Sequence, residues 1–85
     1  MELKLTRGML GDVVESICKS DDIKVLMAAA CNWREKNKDN YKVEPYSRYL
    51  FHKDEGKIVI DFGDYAYFFL IDGITLWDEV SKMWK

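Results

Sequence analysis

The stretch Lys57–Asp72, KIVIDFGDYAYFFLID, constrains the fold more than any other part of the chain. Ile58, Ile60 and Phe62 alternate with Val59 and Asp61. Gly63-Asp64 then interrupts, and an apolar and aromatic run from Tyr65 to Ile71 follows. Alternation, a two-residue break containing Gly and a second β-rich run predict a β-hairpin. With Gly63-Asp64 as its loop, Phe62 faces Tyr65, Ile60 faces Tyr67 and Ile58 faces Phe69. Opposed residues point to the same side of a sheet, so these six side chains form one apolar face that needs a helical cover. The other face carries Val59, Asp61, Ala66, Phe68 and Leu70, and is mixed in character.

The cover must come from the same chain, because 85 residues suit one small domain without a second core. Leu3 and Leu5 alternate with Glu2 and Lys4, which reads as a short strand or an extended lead-in. Leu10, Val13, Val14, Ile17 and Cys18 have helical spacing and predict a helix over 9–19, although Gly8 and Gly11 weaken its start. Ser20 is a candidate N-cap for a second helix over 21–38, with Asp21 and Asp22 in its first turn. Ile23, Leu26, Met27, Ala30 and Trp33 form the stripe of that helix. Val25, Ala28, Ala29 and Cys31 make its middle apolar nearly all round, so the helix should be buried on more than one side. Val25, Ala28 and Ala29 are therefore candidates for a homodimer or partner contact.

Glu44-Pro45 enforces an extended connection, and 46–53 reads as a strand turning at Asp54-Glu55-Gly56. A two-residue turn would put Tyr49 and Phe51 on the core face, and a three-residue turn would put Tyr46 and Leu50 there. Beyond Asp72-Gly73, Thr75 and Asp78 have capping-box spacing, and Leu76, Trp77, Val80, Met83 and Trp84 stripe a last helix. It would lie beside the other helices or on the opposite face. The predicted order is α-α-β-β-β-α, an α+β fold with a three-stranded antiparallel meander packed against helices.

Composition bounds the function. A hydrophobic share of 48% with 14% aromatics implies a packed globule and not a disordered chain. The net charge of -2 excludes strong whole-chain attraction to nucleic acid or anionic lipid. Cys18 and Cys31 are too few for a disulfide scaffold and read as buried, reduced thiols. The N-terminal MELKLTRG lacks the apolar core of a signal peptide, and no run approaches a membrane span. A cytoplasmic protein without membrane contact is expected.

No motif carries catalytic chemistry. His52 is the only histidine and stands in a strand beside Asp54 and Glu55, where a surface residue is the simpler reading than a general base. Cys18, Cys31 and His52 offer three zinc ligands where about four are wanted, without zinc-site spacing. The chain has no G-x-S-x-G motif and no Gly-rich phosphate loop. The expectation is a non-enzymatic protein with no cofactor and no metal.

Charge placement leaves two binding readings. From Ile58 to Glu79 the charged residues are Asp61, Asp64, Asp72, Asp78 and Glu79, with no Lys or Arg. Acids among aromatics can present a charged surface to a basic protein site. In size, acidity and lack of catalytic residues the chain is similar to small phage-encoded inhibitors of nucleic-acid enzymes. That similarity implies a regulator or inhibitor of another protein that binds through these five acids. Each acid also has a bland reading as a turn, cap or solvated position. The alternative lies in the basic region 34–57, which includes Arg34, Lys36, Lys38 and Lys42. Two helices followed by a hairpin resemble a winged-helix DNA-binding domain in order of elements, which implies a nucleic-acid-binding module. Against it, Asp21 and Asp22 would meet the phosphates, and Ala28–Ala30 replace polar base-reading residues.

Overall fold

Period-two alternation builds the sheet from its first residues. In the computed structural model, which describes residues 1–9 and 11–82, the elements are β1 (Glu2–Arg7), β2 (Asp12–Lys19), α1 (Ile23–Asn37), β3 (Arg48–His52), β4 (Lys57–Asp61), β5 (Tyr67–Asp72) and α2 (Trp77–Ser81). The strands form one antiparallel sheet in the order β2-β1-β5-β4-β3. The α+β class is as expected, but the three-stranded meander is not. Five strands are present among the described residues, and residues 12–19, expected within a helix, form β2. The short Leu3/Leu5 alternation becomes an interior strand, β1, between β2 and β5. Leu10, part of the expected first stripe, lies outside the described residues.

One face of the sheet holds the core. Leu3, Leu5, Ile58, Ile60, Phe69 and Ile71 are buried beneath Ile23, Leu26, Ala30 and Trp33 of α1. The Trp33 ring stands 5.0 Å from Tyr41, 5.8 Å from Phe62 and 5.4 Å from Phe69, centroid to centroid. Val80 joins the same cluster, so α2 packs on the α1 side of the sheet. Burial of each such aliphatic or aromatic side chain stabilises the fold by about 1.5–3 kcal/mol.

The central hairpin keeps its expected faces but not its expected pairs. Ile58 faces Ile71, Val59 faces Leu70 and Ile60 faces Phe69, a shift of two residues from a Gly63-Asp64 loop. A shift of two preserves side, so Ile58, Ile60 and Phe69 remain in the core with Phe62. The loop is longer because the Asp64 carboxylate accepts from the Ala66 amide at 2.9 Å and the Tyr67 amide at 3.2 Å, holding 64–67 as a turn. Tyr65, expected in the core, is instead 85% exposed. On β3, Tyr49 faces Ile60 and Phe51 faces Ile58, which puts them on the core side. The connection to β4 is a turn over Lys53–Glu55, closed by Gly56 at φ 64°.

Other local expectations are corrected in the same way. The N-cap of α1 is Asp22, whose side chain accepts from the Lys24 amide at 2.9 Å; Ser20 accepts one step earlier, from the Asp22 amide. α2 starts at Trp77 with no side-chain cap, so the Thr75/Asp78 box does not form. Met83 and Trp84 lie outside the described residues. Cys31 is exposed and Cys18 only half-buried, against the expectation of two buried thiols. Val25 and Ala28 lie on the exposed side of α1, with Ala29 half-buried.

No helix among the described residues covers the second face. Its central row runs Leu50, Val59, Leu70 and Lys4 across β3, β4, β5 and β1. Ion pairs end and flank that row: Lys4 Nζ lies 2.6 Å from Asp72 and 3.4 Å from Glu2, and Arg48 lies 2.8 Å from Asp61. Long basic side chains can cover apolar surface with their stems while their charges stay wet, which suits a sheet with one helical layer.

Candidate protein-binding groove

The chain before β3 runs back along the β4–β5 loop, and the two together form a groove at one end of the sheet. The Glu44 amide donates to the Phe62 carbonyl at 2.9 Å. Arg34 of α1 donates through Nη2 to the Glu44 carbonyl and pins the segment from the other side. Gly63, at φ 107°, makes the close approach feasible: a Cβ there would lie 2.7 Å from the Glu44 amide nitrogen. The groove between these segments is about 430 Å³, lined by Glu44, Tyr46, Arg48, Asp61, Asp64, Tyr65 and Phe68.

Its lining is aromatic and acidic. Tyr46 is 71% exposed and Tyr65 85%. Asp61 Oδ2 lies 2.8 Å from Arg48 Nη2, and Oδ1 accepts from the Gly63 amide at 2.9 Å. Burial pushes the Asp61 pKa up, but the Arg48 and Gly63 hydrogen bonds outweigh it and hold the carboxyl below its ordinary value. Asp64 accepts a third backbone bond, from Lys42 at 3.1 Å. The Lys42 ammonium donates to the Tyr65 hydroxyl at 2.8 Å and lies 4.4 Å from the ring centroid; that hydrogen bond raises the Lys42 pKa. Three carboxylates, Glu44, Asp61 and Asp64, thus line the groove with Arg48, and Lys42 is held on its Tyr65.

Only part of the expected acid surface converges here. Asp61 and Asp64 line the groove, whereas Asp72 closes the far end of β5 and is paired with Lys4. At about 3.3 Å per residue, the length of β5 separates the two ends by roughly 17 Å, twice the Debye length of about 8 Å at physiological salt. Asp78 and Glu79 are exposed on α2, where Glu79 shares a different hollow with Gly73. Tyr46, Tyr65, Phe68 and Glu44 were not among the sequence candidates. The signal for them was available: an extended Glu44-Pro45 pair and a Gly63-Asp64 turn pair, each next to a tyrosine.

The basic region 34–57 is largely tied into the fold. Lys38 bonds Glu35 at 2.8 Å, while Arg34, Lys42 and Arg48 have the partners given above. No helix precedes α1 among the described residues, so the winged-helix order of elements is absent. His52 is half-buried, and among the described residues no cluster of His, Cys, Asp and Glu could hold a metal ion. Among the same residues no helix is long and apolar enough to cross a membrane. No protein-family model, curated protein or solved structure matches the chain significantly.

Proposed function

We propose that this protein is a small non-catalytic binding module that regulates another protein by holding one of its basic segments in the groove between Tyr46 and Tyr65. The observation that carries this reading is the pairing of two highly exposed tyrosines with three carboxylates in one concavity. Aromatic rings attract cations through their negative faces, as the Tyr65 ring does with the chain's own Lys42, and clustered acids steer a basic partner and make its binding salt-sensitive. The reading narrows the five acids of the sequence to Asp61 and Asp64 and adds Glu44.

An NMR titration of the full chain with a lysine- and arginine-rich peptide tests it. Amide shifts confined to Gly63–Phe68 and Tyr46–Arg48, weakened by salt and by Tyr65→Ala, are the expected result. No shift with the basic peptide, together with shifts over 34–42 on adding a DNA oligonucleotide, would replace this reading with the nucleic-acid one.

A further inference from the structure

Helix α1 buries one side and leaves the other open. Ile23, Leu26, Ala30 and Trp33 face the sheet. On the opposite side Lys24, Ala28, Cys31 and Glu35 are exposed, and Asp21 and Lys38, exposed at the two ends of the helix, continue their line. These six residues stand at i, i+3, i+7, i+10, i+14 and i+17, the alternating spacing along which helices pair.

The order of charges along that line is its informative feature. From Asp21 it reads acid, base, small, small, acid, base. Turned end for end, the line sets an opposite charge against every charge it carries. Asp21 meets Lys38, Lys24 meets Glu35, and Ala28 meets Cys31, each pair occurring twice. Side by side in the same direction, every charge would meet its own like. A slip of seven residues in the antiparallel arrangement leaves two charges of each copy unopposed. Charge therefore selects one direction and one register.

We propose that α1 pairs antiparallel with α1 of a second copy of this chain, about a two-fold axis midway between Ala28 and Cys31. The small side chains at the centre permit close approach of the two backbones. Val25, 46% exposed, flanks the line and lies beside Asn32 of the second copy. Within one copy Glu35 is paired with Lys38 at 2.8 Å, and that pair takes in Lys24 and Asp21 of the second copy. Exposed ion pairs contribute little singly, so the charges set direction and register more than affinity. The contact is one helix pair about 22 Å long at about 1.5 Å per residue, so the association is weak and reversible. Identical patches related by a two-fold axis close at two copies and do not propagate.

Sedimentation equilibrium of the full chain over a dilution series reaching millimolar concentration tests the pairing. Wild type should form a reversible dimer. Lys24→Glu and Glu35→Lys each oppose like charges at two symmetric positions, and each should weaken the dimer at least tenfold. Mixed in equal amounts, the two variants should associate again, because each then meets the charge opposite to its own. Amide shifts of wild type on dilution should be confined to 21–38, which locates the contact even if a variant does not fold. A strictly monomeric wild type overturns the proposal. So do dilution shifts confined to other elements, a dimer that both single variants leave intact, or a mixture that associates no better than either variant alone.

Discussion

Gly63→Ala is the sharpest probe of how the groove is built, with Gly73→Ala as its control. Both glycines have positive φ, 107° and 78°, so a Cβ strains both backbones, at about 1–3 kcal/mol each. Their surroundings differ. At Gly73 the nearest atom to a new Cβ is Met1 Cα at 3.6 Å, an ordinary contact. At Gly63 the methyl would overlap Glu44 Cγ and sit 2.7 Å from the Glu44 amide, which is a backbone atom and cannot rotate away. Relief requires the segment to move off, opening the 2.9 Å bond from Glu44 to Phe62. Losing that bond costs a further 0.5–1.5 kcal/mol or about that. Gly63→Ala should therefore be less stable than Gly73→Ala by about 1 kcal/mol, a urea midpoint gap of about 1 M at a slope of about 1 kcal/mol/M. Trp33, packed on Phe62 and only 9% exposed, supplies the fluorescence signal. Equal midpoints for the two variants would show that Glu44 does not press on the loop in solution, and the groove would lose its wall.

Ile60→Ala removes a buried side chain flanked by Tyr49 and Phe69 on the neighbouring strands; it should cost about 2–5 kcal/mol of the 5–15 kcal/mol or so typical of a domain. A urea midpoint within experimental error of wild type would mean that Ile60 does not face α1. Asp64→Lys removes the acceptor of three backbone amides, Lys42, Ala66 and Tyr67, and should cost about 1.5–3 kcal/mol. Asp78→Lys, exposed at the start of α2, should cost less than about 1 kcal/mol; thermal melts that coincide for these two would remove the turn role of Asp64.

Side was more legible in the sequence than register. The alternation through Ile58–Phe62 and the apolar run ending at Ile71 were sufficient to give a hairpin and to sort its faces, because side depends only on odd and even spacing. The pairs depended on loop length, and loop length depended on where one carboxylate bonded. Asp64 bonds forward to Ala66 and Tyr67 and across to Lys42, and the cross-chain bond has no local signal. The same limit applies to the site. Asp61 and Asp64 were visible as acids, but their separation from Asp72 follows from the direction of β5. Glu44 and Tyr46 reach the groove only because Gly63 admits a neighbouring backbone.

The misread segment 12–19 has a more specific cause. Leu3 faces Cys18 while Lys4 faces Ser16, so Ile17 is an extra residue; Leu5 faces Glu15 while Thr6 faces Val13, so Val14 is another. Each bulge sets two consecutive residues of β2 against one position of β1. The apolar residues fall at these doubled positions, Val13 with Val14 and Ile17 with Cys18. Doublets four residues apart have the spacing i, i+1, i+4, i+5, which satisfies a helical template as well as an amphipathic helix does. Two regularly spaced bulges thus convert a period of two into an apparent period near 3.6. Val13, Val14 and Ile17 are β-branched, and the glycines at 8 and 11 flank a turn, so composition and punctuation both favoured a strand. β3, which pairs with β4 without a register shift, keeps a plain alternation and was legible as a strand.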